Sequence, residues 1–285
     1  MTLLWSGLGL GAVYALVAIG YNIVYISSHS FNFAHAQLLM VGTFVAYTGL
    51  VTLHLPVLVV ALMATLTVML LAALEERFAV RPVSDHKTQL VTTLGVATLL
   101  NGATQLIWGS EPLTVPFFAS DELLDVLGGR VYPVELALLA VAVLLVVLLG
   151  LLGRRTLLGL ALLGMSEDRE AATLRGINVR RLAFAAFAFS GALAGVLGLF
   201  VGPKTFAVAT LGVALAVKGF VAMAIGGFGS LPGALVGGLS VGLIETFAAL
   251  RLGSEYSGIT VFVVLIVILL VRPSGLFTRT RERAV

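Results

Sequence analysis

Apolar residues run through this chain in long unbroken windows, with neither the alternation of half-buried strands nor the narrow stripe of a surface helix. Windows of about 20 apolar residues, the length that crosses roughly 30 Å of hydrocarbon, fall near 3–26, 33–53, 55–74, 88–108, 131–152, 182–202, 212–228, 232–250 and 257–271. They predict an all-α, polytopic transmembrane helical bundle forming a single integral-membrane domain over 1–285, with eight or nine spans. Two windows keep the count open. Segments 33–53 and 55–74 are parted by little more than His54 and Pro56, and 212–228 is short and carries Lys218. Eight full spans with one broken or re-entrant helix is therefore the alternative to nine. The first window has no basic leader and is too long for a signal-peptide core, so it reads as a retained span.

The largest interruption is the polar segment 153–181, which holds six arginines together with Glu167, Asp168 and Glu170. Such a segment cannot lie in hydrocarbon. Ser166 to Arg175 fits a short amphipathic helix with Ser166 as N-cap and acids in the first turn, where the helix dipole favours anions. Gly176 suits a left-handed helix end, and a second helix starts at Val179. Ala171, Ala172, Leu174 and Ile177 give a small-residue, apolar side that a partner can grip. The plainer reading is a solvated loop.

Composition agrees with the windows. Mean hydropathy is +1.10, and only 11% of residues are charged against 59% hydrophobic, which excludes an ordinary soluble domain. The formal charge of +3 follows topology and gives no reason to invoke nucleic acid. Segments 75–87, 153–181 and 272–285 hold 13 of the 17 basic residues, the last through Arg272, Arg279, Arg281 and Arg283. With nine spans all three fall on one side, so that side is expected to be cytoplasmic, with the C-terminus inside and the N-terminus outside. Cysteine is absent, which removes disulfides, thiolate metal sites and cysteine nucleophiles.

Several polar residues stand out within or beside the spans. Asn32, His35 and Gln37 lie at the start of one window, Asn32 as a candidate helix cap and Asn32 and His35 on a shared face, with Phe31, Phe33 and Leu38 packing outward. That face is a candidate lining for the translocation pathway. Lys218 and Glu245 are charges within spans, each about 10 Å from the external end at 1.5 Å per residue; either they pair or Lys218 snorkels alone. The external segment 109–130 carries Pro112, Pro116 and the acids Asp121, Glu122 and Asp125. It is long enough for a surface helix, and serves either as a docking site or as a plain connector. Glycines four apart recur at Gly7 and Gly11, Gly191 and Gly195, Gly198 and Gly202, Gly233 and Gly237, and Gly238 and Gly242, predicting close helix packing. No phosphate-binding loop of the G-x-x-x-x-G-K-[ST] type occurs, so any ATP used belongs to other subunits. The histidines His29, His35, His54 and His86 lack ligand spacing, so no metal or other cofactor is expected, and no catalytic residue is assigned.

Four stretches resemble a known family. SEDREAATLRGINVRRLAFAAFAFSGALAGVLGLFVG is similar to the cytoplasmic coupling loop and following helix of permease subunits of branched-chain amino-acid ABC importers, a match that includes Ala171, Ala172, Gly176, Ile177 and Asn178. FNFAHAQLLMVG resembles that family's Asn-Phe-Ala-His-Gly-Glu segment, with Ala36 in place of the glycine and Gln37 in place of the acid. KGFVAMAIGGFGSLPGALVGGLSVGLIE and RPSGLF match in order, and the short N-terminus resembles the H-type permease. The resemblance implies a multi-pass protein of the bacterial inner membrane whose segment 153–181 is a coupling loop, with Glu167, Asp168, Ala171, Ala172, Leu174 and Gly176 meeting the ATPase. It implies as partners a homologous permease subunit, two cytoplasmic ATPases and an external substrate-binding protein. A self-sufficient secondary transporter or channel is the competing expectation, disfavoured by the combination of a large polar coupling-type loop with few intramembrane carboxylates for ion coupling.

Overall fold

The computed structural model describes residues 1–83, 85–119, 122–272 and 275–277. Asp121, Pro273, Ser274, Arg279, Arg281 and Arg283, singled out above, lie outside the described residues.

Each of the nine apolar windows is a helix. They are α1 (Thr2–Ser28), α2 (His35–Tyr47), α3 (Val57–Glu75), α4 (His86–Trp108), α5 (Pro133–Arg155), α8 (Val179–Thr205), α9 (Leu211–Gly226), α10 (Leu231–Leu252) and α11 (Ser254–Val271). The segment between α5 and α8 forms α6 (Leu157–Glu167) and α7 (Arg169–Leu174). Among the described residues, seven of these helices are long and apolar enough to cross a membrane, counting α3 with its extension to Val80. The two short ones are α2 and α9, the windows that left the span count open. α2 is lengthened by a π-helical turn, Thr48–Thr52, and α3 by another, Glu76–Val80.

α2 is the centre of the bundle. It packs against α8, α3, α9, α4 and α1, and every residue from His35 to Ala46 is buried. A helix apolar all round belongs in such a place. Leu38, expected to face outward, is therefore fully buried.

Glycine makes this enclosure possible. A Cβ at Gly195 would run into the Ala64 carbonyl on α3, and one at Gly198 into the backbone of Gly42 on α2. On the other flank Gly238 and Gly242 lie against Ala15 and Gly11 of α1, while Gly233 and Gly237 lie against Gly226 and Ala222 of α9. The four-residue spacing in the sequence thus corresponds to seams where backbones touch.

The ends of the bundle differ. At the basic end lie the close of α1, the π turn after α3, α6, α7 and the start of α8; the tail joins them where Leu276 and Phe277 donate to the carbonyls of Ile225 and Gly226. At the opposite end, segment 109–132 holds no helix among the described residues. It forms a hairpin of β1 (Leu124–Val126) and β2 (Gly129–Val131), turned through Leu127 and Gly128, both at positive φ. Two consecutive positive φ values define the tight turn that suits antiparallel strands. The hairpin sits on the start of α1, where Arg130 N donates to Thr2 Oγ1 at 3.1 Å and Trp5 Nε1 donates to Val126 O at 3.3 Å.

Gly195→Ala is expected to destabilise the protein by about 1–3 kcal/mol, as overpacking against backbone does. Gly150→Ala, where a Cβ meets nothing within 4 Å, is expected to be neutral or slightly stabilising. Unfolding of both variants in detergent, compared with the parent, checks this.

Candidate functional site

Two polar constellations lie inside the bundle, and a third forms its basic end. The first surrounds the foot of α2. Asn32 precedes the helix rather than capping it: its Oδ1 accepts from Ala34 N at 2.8 Å, an Asx-type turn, and the N-cap position is Ala34. Its Nδ2 donates to Glu75 Oε2 at 3.1 Å. His35 turns elsewhere, with Nδ1 3.1 Å from Ser190 Oγ on α8, and that hydroxyl lies 3.3 Å from Gly20 O on α1. With Ser190 donating to Gly20, Nδ1 carries the hydrogen and Nε2 is left as an acceptor. Gly20 is required here, because any Cβ would overlap the imidazole. Gln37 projects toward α9, where Gly212 makes room for its amide.

Asn32, His35 and Gln37 are thus close together and all buried. They do not form one exposed face in this conformation: Asn32 addresses α3, His35 addresses α1 and α8, and Gln37 addresses α9. Three buried acceptors there have no hydrogen-bond partner: His35 Nε2, Gln37 Oε1 and Glu75 Oε1. Unsatisfied polar atoms at this depth are costly.

The pattern of hydropathy missed two residues of this region. Glu75 reads as the first residue of a polar loop, yet the helix continues past it and buries it. The acidic doublet directly after an apolar run was the available signal. Asn22, in the middle of α1, was the other: its Oδ1 accepts from Gly229 N at 2.6 Å, and its Nδ2 donates to Ser230 O at 3.4 Å. It thereby holds the turn between α9 and α10.

The second constellation joins α1, α9 and α10. Lys218 and Glu245 pair directly, so Lys218 does not snorkel alone. Tyr14 Oη donates to Glu245 Oε2 at 2.7 Å and accepts from Lys218 Nζ at 3.1 Å. Lys204 and Glu135 form a second ion pair, between α8 and α5, at the end of the bundle away from the basic one.

The basic end differs from expectation in its cap and in its faces. The N-cap of α7 is Asp168, whose Oδ1 accepts from Glu170 N at 3.0 Å and Ala171 N at 2.9 Å. Ser166 is instead part of α6, its hydroxyl donating to Leu163 O. Gly176 does end the turn, at φ +85°, and Asn178 caps α8. Ala172 is only 4% exposed and packs with Met165, Val179 and Leu182, so it supports the segment from within and offers no surface to a partner. Leu174 is 88% exposed, and Leu157, Leu158 and Leu160 of α6 are exposed as well. One contact links this segment to the first site: His29, the left-handed residue closing α1, has Nε2 2.8 Å from Ser166 O. Among the described residues no group of three His, Asp or Glu is placed to hold a metal.

Ionisable groups held within the hydrocarbon zone are costly and accompany solute paths, which places this bundle among polytopic membrane transport proteins. The chain matches the family described as branched-chain amino acid transport system / permease component over residues 3–269. It is 30% identical to the high-affinity branched-chain amino acid transport system permease protein LivH of Escherichia coli (strain K12), over 97% of this chain and 94% of the relative. It is also 30% identical to BraD of Pseudomonas aeruginosa, a permease protein of the same description, over 96% and 94%. The ribose import permease protein RbsC of Haemophilus influenzae is 28% identical over 81% of this chain and 75% of its own. The chain belongs to the branched-chain amino acid permease family, whose members are transport components rather than an enzyme class. No solved structure matches it significantly.

Replacing Asn32 with leucine strands the Glu75 carboxyl group. Asn32→Leu should therefore cost about 1–3 kcal/mol, the usual penalty for a buried group deprived of its partner. The double variant Asn32→Leu/Glu75→Leu should cost less than the two single changes added together. Denaturant unfolding of the four proteins in detergent measures the coupling.

Proposed function

We propose that this chain is a translocating subunit of an ABC importer in the bacterial inner membrane, and that its cargo is a branched-chain amino acid. The observation that carries the reading is the near full-length match to LivH-type permeases, joined by an ordered helical segment at the basic end of the bundle. A homologous permease completes the pathway as a heterodimer, two cytoplasmic ATPases bind and hydrolyse the ATP, and an external binding protein delivers the substrate. The basic end is cytoplasmic, following the placement of lysine and arginine.

In this reading Glu167, Asp168, Ala171, Leu174 and Gly176 present α7 to the ATPase, and Ala172 holds it from beneath. α7 is one rigid turn between a side-chain cap and a left-handed glycine, so a push on it moves its ends. The His29 contact with Ser166 O passes that displacement to the chain leading into Asn32 and His35. Separation of α2 from α9 and α8 would then expose Asn32, His35 and Gln37 to the pathway and offer the unpartnered His35 Nε2 and Gln37 Oε1 to water or solute. Because Gln37 stands where the family carries an acid, the site works without a carboxylate at that position.

The likeness to a ribose import permease makes an uncharged solute the second reading. Uptake of leucine and ribose by the reconstituted complex, each with its cognate binding protein, separates the two. Uptake that persists after ATP depletion and collapses only with an uncoupler would overturn the importer reading.

Two further outcomes are expected. Leu174→Asp should reduce ATPase association and stimulated hydrolysis by about tenfold, the effect of placing a charge at the centre of an apolar contact; normal association and hydrolysis would remove α7 from the interface. With no native cysteine, a single cysteine at Leu174 should react with impermeant maleimide only from the cytoplasmic side, and one at Leu127, 83% exposed at the opposite end, only from outside. The reverse pattern would invert the orientation.

A further inference from the structure

Lys218 and Glu245 each lie seven residues from the end of their helix, about 10 Å into the bundle at 1.5 Å per residue. An ion pair there is hard to explain by stability alone. Removing two charges from water costs more than apolar residues of the same volume would, and replacing a buried pair by such residues is often neutral or stabilising. In the Lys204–Glu135 pair the lysine side chain keeps 21% of its surface but Glu135 only 4%, so the carboxylate is enclosed where α5 meets α8. Of the two carboxylates, that of the Lys218–Glu245 pair is the more accessible. The Lys218 side chain keeps 26% of its surface and that of Glu245 12%, although an ammonium cannot stably face lipid tails.

On α9, Ala214 lies four residues before Lys218, shares its face and is exposed. Val217 and Val213, 39% and 55% exposed, lie beside Ala214 on the adjoining exposed side of the helix. Tyr14, from α1, hydrogen-bonds to both charges, so each charge keeps one protein partner if the other is drawn away.

We propose that Lys218 and Glu245 are an exchangeable ion pair that binds the head group of a zwitterionic amino acid, Lys218 receiving its carboxylate and Glu245 its ammonium, with Ala214 and the neighbouring Val217 against its apolar side chain. The inference rests on the amino-acid permease reading above and adds the residues that recognise the substrate within the membrane. Exchange leaves the number of charges and of ion pairs balanced: one internal pair opens and two pairs to the substrate form. Tyr14 holds the Glu245 carboxylate in place while Lys218 swings. An uncharged solute has no such exchange to offer.

The test uses the assembled complex in proteoliposomes with leucine-loaded binding protein, and reads leucine moved per ATP hydrolysed. Structural damage or poor assembly lowers both quantities together; loss of substrate capture lowers the ratio. Lys218→Met/Glu245→Gln should lower it by about tenfold or more, the effect of losing one charge-assisted hydrogen bond to the substrate. Tyr14→Phe, which keeps the ring packing, should lower it by about threefold for the loss of one neutral bond. An unchanged ratio in the double variant overturns the inference, and if that variant does not assemble, an unchanged ratio in Tyr14→Phe does so. Failure of the parent complex to move leucine would instead sink the amino-acid reading, and this inference with it.

Discussion

Backbone contact at glycine is the constraint on which the bundle depends. Lipid gives no hydrophobic reward for bringing one apolar helix to another, so packing must supply the attraction, and it is strongest where backbones touch. α8 meets α3 at Gly195 and α2 at Gly198; α10 meets α1 at Gly238 and Gly242. These seams leave α2 with no route to lipid. Only because it is sealed in this way can its first turn carry an imidazole and an amide, and can Asn32 and Glu75 meet beside it. Two of the glycines serve the polar groups directly: Gly20 admits the His35 ring and Gly212 the Gln37 amide.

The same economy of contacts separates parts that hold from parts that can move. The α1–α10 seam is backbone against backbone for several turns, and Asn22 ties the α9–α10 turn into it. By contrast, α6 and α7 are attached through a small cluster around Met165 and Ala172 and through the His29 contact to Ser166 of α6. Few buried apolar contacts mark the segments that open at low cost. A displacement imposed at the basic end should therefore be taken up at α6, α7 and the chain after α1 before it disturbs the seams.

Much of this was legible in the chain. Nine hydropathy windows became nine helices because hydrophobic length is decided locally, and the glycine pairs became seams because four-residue spacing puts both glycines on one face. Gly176 and Asn178 marked their helix ends by local chemistry as well. What was not legible depends on neighbours distant in sequence. Ser166 and Asp168 are both competent caps, and the choice fell to Asp168 because α6 runs on through Ser166. Ala172 has the residue type of a contact surface, but Val179 and Leu182 from the next helix cover it. The hairpin at Leu124–Val131 lacks the Asn-Gly signature of its turn, so its strands were hidden among loop residues.

Glu75 shows why the missed residues matter. A hydropathy window stops at the first charge, so the acid was placed outside the membrane although its helix carries it inward to Asn32. Few carboxylates in the spans, together with the large polar loop 153–181, disfavour a self-sufficient transporter, and Glu75 weakens the first of these grounds. Glu75 is enclosed by α3 and the chain entering α2, one of its oxygens is held by Asn32, and no basic side chain pairs with it among the described residues. Lys218 and Glu245, by contrast, hold each other and reach the protein surface. Ion coupling by a carboxylate needs a path by which the ion enters and leaves, and the ionisable groups with access in this conformation are the paired ones, not Glu75. The interior carboxyl group therefore belongs to the enclosure of α2, whereas the Lys218–Glu245 pair keeps access to the protein surface.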